Sequence, residues 1–220
     1  MSATRTQPLT SVRDVADPTA ERSDHRARLI DAMEQAIEEN GYRQTTVADV
    51  VRIAHTSRRS FYEHFADRDA CFLALFDANN DAIMQEIAAS VSPELPWDEQ
   101  INRSLAIYLD LIAGRPGLSK SFAHELAALG EAGAERERAS LEHFAELLVT
   151  LVESSRRERR EPANHPFTMD MASMIVGGLH ELTINAIQHG RDVHELQPLA
   201  AKAISAILNA TVLDARSSVH

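Results

Sequence analysis

The chain has 220 residues, of which 44% are hydrophobic, enough to form one large or two small globular domains. Its single cysteine, Cys71, excludes an internal disulfide framework and a cysteine-rich zinc site, as is typical of a reducing cytoplasm. No apolar run approaches the roughly 18 residues of a membrane span, and the N-terminus lacks the apolar segment of a signal peptide. We therefore expect a soluble, cytoplasmic protein with no membrane partner.

The formal net charge of −11 argues against nucleic-acid binding by the surface as a whole, because lysine and arginine must neutralise phosphates. The charge is unevenly distributed, however. Residues 1–70 carry 10 arginines against 12 acidic residues, whereas residues 71–220 carry 12 basic against 21 acidic residues. Between Arg52 and Arg68 four arginines face only Glu63 and Asp67, so a locally basic surface is compatible with DNA binding.

Residues 1–22 mix Ser, Thr, Pro, Arg and Asp without a period, and Pro8 and Pro18 interrupt any long helix. We interpret this segment as a flexible N-terminal arm. Its Arg5 and Arg13 can reach a DNA groove as basic arms do, although an untethered terminus is the alternative.

The first predicted helix starts at Ser23 and runs for about 17 residues. It has one apolar stripe and stops at Asn40 and Gly41, which form a C-terminal cap signal. The stripe consists of Leu29, Ile30, Met33, Ala36 and Ile37.

Two short helices with a tight polar turn between them are predicted from Thr45 to Phe65. Thr46 followed by Asp49 is a capping-box pattern, and apolar residues then repeat at helical spacing up to Ala54. After His55, either Thr56 or Ser57 can cap the second short helix.

The second short helix carries side chains suited to DNA. Phe61 and Phe65 lie four residues apart on one face, and we interpret them as structural. The remaining surface presents phosphate-binding and base-contacting types, namely Arg58, Arg59, Ser60, Tyr62 and His64.

The rest of the chain reads as further amphipathic helices, and no segment has the sustained alternation of a strand. The predicted segments are 67–92, 97–113, 118–129, 135–160, 168–189 and 193–213. We therefore predict an all-α fold of about nine helices, with a helix-turn-helix DNA-binding domain over residues 23–68 and a larger helical domain over residues 69–220.

Three segments carry a family resemblance: Asn-Gly-Tyr at 40–42, Thr-Thr-Val at 45–47 and Ser-Arg-Arg-Ser-Phe-Tyr-Glu-His-Phe at 57–65. Over residues 24–75 the chain resembles the N-terminal domain of the tetracycline-repressor (TetR) family of bacterial transcriptional regulators. The resemblance implies a homodimer that places two recognition helices in successive major grooves of a double-stranded operator. It also implies that residues 69–220 bind a small-molecule effector that releases a repressor from its operator.

Nine residues match the family's DNA-contact positions: Thr46, Thr56, Ser57, Arg58, Arg59, Ser60, Tyr62, His64 and Arg68. Thr46 matches a phosphate contact at the start of the first short helix, and Arg68 matches a basic residue just beyond the motif. Arg59 is the best candidate for a guanine contact, because its guanidinium fork fits O6 and N7, and a phosphate contact alone is the alternative.

The chain departs from the family pattern at the turn and on the recognition helix. The family usually has Gly-Val where this chain has His55 and Thr56, and histidine tolerates a positive φ better than most non-glycine residues. Glu63 could accept a hydrogen bond from cytosine, but an acid aimed at solvent or paired with Arg59 is the favoured interpretation.

The last two helices are expected to form the dimer interface. Gly177 and Gly178 lie in the middle of a helix, where each costs about 1 kcal/mol relative to alanine, and such positions usually allow close approach. Together with the apolar stripe of the last helix they favour a four-helix contact between two copies, with an ordinary intramolecular pair as the alternative.

Candidate pocket residues are polar or aromatic side chains on otherwise apolar middle helices. They are Tyr108, Phe122, His124, Glu125, His143, Phe144, His180 and Asn185. No metal is expected, because His124 with Glu125, and His180 with Glu181, are neighbours that point about 100° apart on a helix.

An enzyme is the alternative of a different class, but we expect none. The sequence has no glycine-rich phosphate loop, nucleophile elbow or HExxH motif, and hence no predicted catalytic residue or cofactor. A second alternative is a DNA-binding dimer without an effector. A deep apolar cavity would favour control by a ligand, and a fully packed core would favour the effector-free protein.

Overall fold

The computed structural model describes residues 18–160 and 167–217, and the side chains of 22–160 and 167–208. These residues form α-helices and two short 3-10 helices, Ala127–Leu129 and Val193–Leu196, and contain no strand. The nine α-helices of the described chain are α1 Pro18–Asn40, α2 Val47–Ile53, α3 Arg58–His64, α4 Arg68–Ser90, α5 Trp97–Ala113, α6 Pro116–Glu125, α7 Glu131–Glu158, α8 Met169–Gln188 and α9 Gln197–Ser217. The all-α prediction is confirmed.

Several helix boundaries differ from those predicted: α6 ends at Glu125 and not at 129, α7 begins at Glu131 and not at 135, and the starts of α1 and α9 are shifted. A proline stands at each of the last two starts. α1 begins at Pro18 and not at Ser23, because a proline at the start of a helix needs no N–H and already has helical φ. α9 begins at Gln197, next to Pro198, while the preceding residues form a separate turn in which Asp192 accepts from the backbone N–H of His194. The predictions for Arg5, Arg13 and the arm before Pro18 lie outside the described residues.

α1, α2 and α3 pack on one another and on the first half of α4. Leu29, Met33 and Ile37 of α1 are almost fully buried in this cluster, together with Phe61 of α3 and Phe72 of α4. The same cluster contains Leu118 and Leu126, from α6 and the residue that follows it. Residue 68 is thus a boundary of the sequence motif, whereas the packed core continues into α4 and α6.

The second half of the molecule packs α7 against α8 and α5 against α9, with α4 covering α5 and α7. Its core has one cluster around Leu105, Val152 and Leu208 and a smaller one around Leu109 and Leu196. Within the described residues, no helix is long and apolar enough to cross a membrane.

Candidate DNA-binding and ligand-binding sites

The start of α2 is fixed by the predicted capping box. The Thr46 hydroxyl accepts from the Asp49 backbone N–H at 3.3 Å, and the Asp49 carboxylate accepts from the Thr46 backbone N–H at 3.1 Å. The Thr46 hydroxyl also donates to this carboxylate at 2.6 Å. These bonds, first the hydroxyl and then the backbone, lower the pKa of Asp49. Both residues are therefore held at the helix end by reciprocal contacts.

The turn between α2 and α3 survives the replacement of the usual glycine by His55. His55 has φ 51°, its N–H donates to the carbonyl of Arg52 at 3.3 Å, and the N–H of Thr56 donates to the carbonyl of Val51 at 2.9 Å. This pair of bonds is the Schellman motif, which requires a left-handed residue at the position of His55. The prediction that histidine accepts a positive φ here is confirmed.

α3 buries its aromatic face and exposes its polar face. Ser57 caps the helix by accepting from the Ser60 backbone N–H at 3.1 Å. Phe61 is fully buried and its ring lies 5.6 Å from that of Phe65, so the structural interpretation of both residues is confirmed. Since these rings anchor one face, Arg58 and Arg59 point into solvent, and Tyr62 is 57% exposed.

Glu63 pairs with Arg59, as the favoured interpretation predicted. The Arg59 Nε donates to a Glu63 carboxylate oxygen at 3.2 Å, across one helical turn. The Arg59 side chain is 90% exposed, so this ion pair is weak and readily exchanged for a phosphate or a base.

His64 sits beside a group of cations on α1 that sequence reasoning missed. Its ring centroid lies 6.5 Å from that of His25, and partial burial, followed by the charges of Arg22 and His25, lowers its pKa. Arg26 lies over the Phe65 ring at 5.3 Å. The signal was the spacing of Arg22, His25 and Arg26, which places them on one side of α1.

Arg68 is committed to internal contacts, which separates it from the other predicted DNA residues. Its guanidinium donates to the carbonyl of Thr45 at 3.1 Å, lies 4.2 Å from the centroid of the Tyr42 ring and pairs with Asp69 at 3.3 Å. The Tyr42 hydroxyl also donates to Asp69. Arg68 thereby connects the segment before α2 to α4, and these contacts are those of a structural residue.

An elongated cavity of about 200 Å³ lies between helices of the second half of the molecule. One face of α7 lines it from Glu137 to Val152, a span of about 22 Å at 1.5 Å per residue. The wall is polar near Glu137, Asn80 and His180, and mostly apolar towards Val152 and Leu208. A cavity of this shape suits a long, narrow, mostly apolar molecule.

Four of the predicted pocket residues line this cavity: Tyr108, Phe122, Phe144 and His180. The Tyr108 ring meets Phe144 edge to face at 6.3 Å, and burial raises the pKa of Tyr108. Phe122 contacts the cavity and also packs on Phe72, 5.3 Å between ring centroids, in the core beneath the DNA-binding helices.

The other predicted pocket residues do not line the cavity, and this part of the prediction needs correction. His124 and Asn185 are exposed, and Asn185 accepts from Arg191 at 3.0 Å. His143 is exposed in a separate cleft, and Glu125 pairs with Arg43 at 2.8 Å. His124 stands two residues after Phe122, which rotates it away by about 200°, while Asn185 directly follows Ile184 and His143 directly precedes Phe144, rotations of about 100°.

The polar end of the cavity contains residues that the sequence did not single out. The Glu137 carboxylate Oε1 lies within hydrogen-bond distance of His180 Nε2, at 3.0 Å, and this contact lowers the pKa of Glu137. Asn80 lines the cavity and its side-chain nitrogen is buried without a hydrogen-bond partner. In the part of the chain that the structure describes, no group of three or more His, Cys, Asp or Glu is arranged to hold a metal ion.

Comparisons with known proteins agree with this geometry. Residues 29–75 match the family model of bacterial regulatory proteins, tetR family, a family of regulators and not of enzymes. The chain is similar to a TetR-family transcriptional regulator from Pectobacterium atrosepticum, with 22% identity over 89% of this chain and 98% of that one and a TM-score of 0.68.

Two further structures share the fold. The transcriptional regulator FadR from Bacillus subtilis, solved in complex with stearoyl-CoA, is 16% identical over 84% of this chain and 97% of its own, with a TM-score of 0.62. The fatty acid degradation regulator FadR from Bacillus halodurans is 18% identical over 84% and 94%, with a TM-score of 0.66. No curated protein matches the sequence.

Proposed function

We propose, from the match of residues 29–75 to the family model of tetR bacterial regulatory proteins, that the chain is a cytoplasmic, homodimeric repressor released from its operator by a small molecule. The observation that carries this proposal is the cavity, because it shares Phe122 with the core under the DNA-binding helices. A cavity of this kind favours control by a ligand over the effector-free alternative.

The exposed face of α3 is the proposed base-reading surface. Arg58, Arg59 and Tyr62 are free of the core, and the paired Glu63 can be displaced when Arg59 meets DNA. The cations of α1 near His64 extend this basic surface, which favours phosphate contacts along its edge. Arg68 has an indirect role in DNA binding in this proposal. It holds the carbonyl of Thr45 and thereby positions Thr46 at the start of α2.

The outer faces of α8 and α9 are the proposed dimer interface. Met174, Gly178 and Leu182 repeat every four residues on α8, and Met174 is 59% and Leu182 38% exposed. On α9 Leu199 is 60% exposed. An added Cβ at Gly177 or Gly178 would meet no atom within 4 Å, so this side of α8 is open to a second copy.

α6 is the proposed link between the cavity and the DNA-binding domain. It lines the cavity with Ser119 and Phe122, while its N-terminus is bound to α1. Glu38 of α1 accepts from the backbone N–H groups of Gly117 at 3.2 Å and Leu118 at 2.6 Å, which supplies the cap that α6 otherwise lacks. A ligand that moved α6 would therefore pull on α1.

The close approach of α1 and α6 depends on Gly117. A Cβ added there would lie 2.9 Å from the Glu38 carboxylate and 3.1 Å from its Cα. Arg115 adds a pair with Glu34 of α1 at 3.2 Å. If the ligand binds more tightly when α6 is displaced from its DNA-binding position, operator affinity falls by linkage. The size of the fall is set by the difference between the ligand's affinities for the two positions of α6.

The test begins with the selection of bound sequences from random duplex DNA, repeated with a metabolite panel to find release. On the selected operator, Arg58→Ala and Arg59→Ala should each weaken binding and lower the slope of log affinity against log salt by about one per lost phosphate contact. Arg103→Ala, which removes a pair with Glu99 on the distant α5, is the control. Unchanged operator binding by the double variant would refute the DNA-binding assignment.

A further inference from the structure

The polar end of the cavity contains hydrogen-bonding groups, and His180 is the one basic side chain among them in the described part of the chain. The described residues that line the cavity include no lysine or arginine, and Glu137 is the one acidic residue among them. Glu137 already faces His180 at 3.0 Å, so the imidazole is occupied by a carboxylate of the protein. A buried anionic head group would find no lysine or arginine to pair with among these described lining residues, which makes its desolvation unfavourable.

The surroundings of Asn80 add to this exclusion of anions. The separate cleft, which shares Asn80 and Ser140 with the cavity, contains Asp77 and Asp81. Asp77 pairs with Arg136 at 2.5 Å, and the other ionisable side chains of the cleft are Asp81 and His143. With histidine counted as neutral, the formal charge of the cleft is therefore −1. Negative charge therefore lies on both sides of Asn80, from Glu137 in the cavity and from the cleft behind it.

The buried nitrogen of Asn80 indicates which polar group the ligand carries. It is the one buried side-chain nitrogen or oxygen, among the described residues, that lacks a hydrogen-bond partner. A buried donor left unpaired is destabilising, so a ligand with an atom that accepts from it binds more tightly than a ligand without one. An ammonium group has donors only and cannot accept this bond.

We propose that the effector is an uncharged, elongated amphiphile whose hydroxyl or carbonyl oxygen accepts a hydrogen bond from Asn80, while its apolar chain runs along α7 towards Val152. A free carboxylate is disfavoured because its charge would be unpaired in the cavity. A protonated amine is disfavoured because it has only donors and cannot accept the Asn80 N–H. Alcohols, esters, ketones and amides with a long alkyl chain remain. This inference rests on the proposed function of the cavity as an effector site and names the chemistry of that effector.

Binding can be measured without DNA, because Trp97 is the single tryptophan of the chain and lines the apolar part of the cavity. Decanol, methyl decanoate, decanoate and decylammonium, kept below micelle-forming concentrations, would be titrated at neutral pH while Trp97 emission is followed. Decanol and methyl decanoate should give saturable changes, with Kd values at least about tenfold below those of both ions. Equal or tighter binding of either ion, or no response to all four compounds, would overturn the proposal.

Asn80→Leu should raise the Kd for methyl decanoate by about tenfold, because the hydrogen-bond donor is lost while side-chain size is kept. The same change should leave folding intact or raise thermal stability, since it removes an unpaired polar atom. Asn80→Asp, which replaces the donor with acceptors at the same size, should weaken it as well. Asn102→Leu, at an exposed position on α5 outside the cavity, is the matched control. Wild-type affinity in both Asn80 variants would contradict the assigned hydrogen bond.

Operator release is then measured separately with the compound that binds best. Saturation of Trp97 without release of DNA would refute the proposed function and leave the ligand chemistry standing. Release by an anionic metabolite that occupies the cavity would refute the ligand chemistry and leave the proposed function standing.

Discussion

His55 holds a backbone conformation that glycine adopts more readily, at the point that sets the angle between α2 and α3. The two hydrogen bonds of the turn are intact, so the cost is confined to the φ of one residue. The side chain is exposed and offers little packing in return.

Replacing His55 with glycine should stabilise the protein by about 0.5–1 kcal/mol, because relief of the left-handed strain exceeds the entropy that glycine adds to the unfolded chain. The change in the free energy of unfolding can be measured by denaturant titration, provided that the denaturant slope m is the same in both proteins. Gly190 ends α8 with the same pair of backbone bonds at φ 65°, and Gly190→His should lose a similar amount. A less stable His55→Gly variant would mean that the imidazole makes a stabilising contact.

Cys71 makes stability sensitive to alkaline pH. Burial raises its pKa to about 12, from a value near 9 in the unfolded chain. Between these values the folded state keeps a proton that the unfolded state loses, so unfolding free energy falls by about 1.4 kcal/mol per pH unit for this group. Burial raises the pKa of Tyr42 as well, which adds to the loss above pH 10.

The slope of unfolding free energy against pH should be smaller in Cys71→Ala than in the wild type, by about half a proton at pH 9 and nearly one proton at pH 10, as the unfolded thiol ionises. The wild-type thiol should also resist a thiol reagent until the protein is unfolded, since it is fully buried. Rapid labelling of the native protein at pH 8 would contradict this account.

α6 is the element on which the two halves of the molecule depend. Its first turn is capped by a carboxylate from α1, and its middle carries Phe122 into both the cavity and the core of the DNA-binding domain. Gly117 permits this approach because it has no side chain.

Gly117→Ala should destabilise the protein by about 1–3 kcal/mol, because the new methyl group meets the backbone of Glu38 as well as its side chain. It should also reduce the effect of ligand on operator affinity, as measured by DNA binding with and without saturating ligand. Lys120→Ala, at an exposed position of the same helix outside the cavity lining, is the control and should leave both stability and coupling unchanged. Full coupling in Gly117→Ala would exclude the α1–α6 contact as the link.

At the scale of elements the sequence was a good guide wherever local chemistry decides the outcome. The bounds of α5 and the cap at Thr46 follow from residues within a few positions, and the structure has them as predicted. The cavity depends on which helices meet. Asn80 lies in a polar stretch of a long helix, between Asn79 and Asp81, and nothing local indicated which of these side chains faces the cavity. His124 lies two residues after Phe122, on a different face of its helix. Only packing distinguishes such positions.

At the scale of the whole molecule, α8 and α9 carry four exposed large apolar side chains within the described residues: Met169, Met174, Leu182 and Leu199. The open stripe of Met174, Gly178 and Leu182 adjoins no other part of the described chain closely enough to fill it. A second copy of the chain would cover it.

Leu182→Asp should convert the proposed dimer to a monomer, because in that dimer two buried carboxylates would face each other across the symmetry axis. Sedimentation or light scattering would report the mass, and operator affinity should fall with it. Ala82→Asp, on an exposed position of α4, is the control and should leave the mass unchanged. A Leu182→Asp variant that keeps its dimer mass would place the interface elsewhere.

The core that joins α1, α4 and α6 also limits how this protein can be recombined with others. A chimera that took residues 18–67 and attached them to another sensor domain would leave behind Leu118 and Leu126, which fill the base of the DNA-binding domain. Transplanting the operator preference therefore requires a graft that carries α6, or a recipient whose own α6 presents apolar side chains of the same size at both positions.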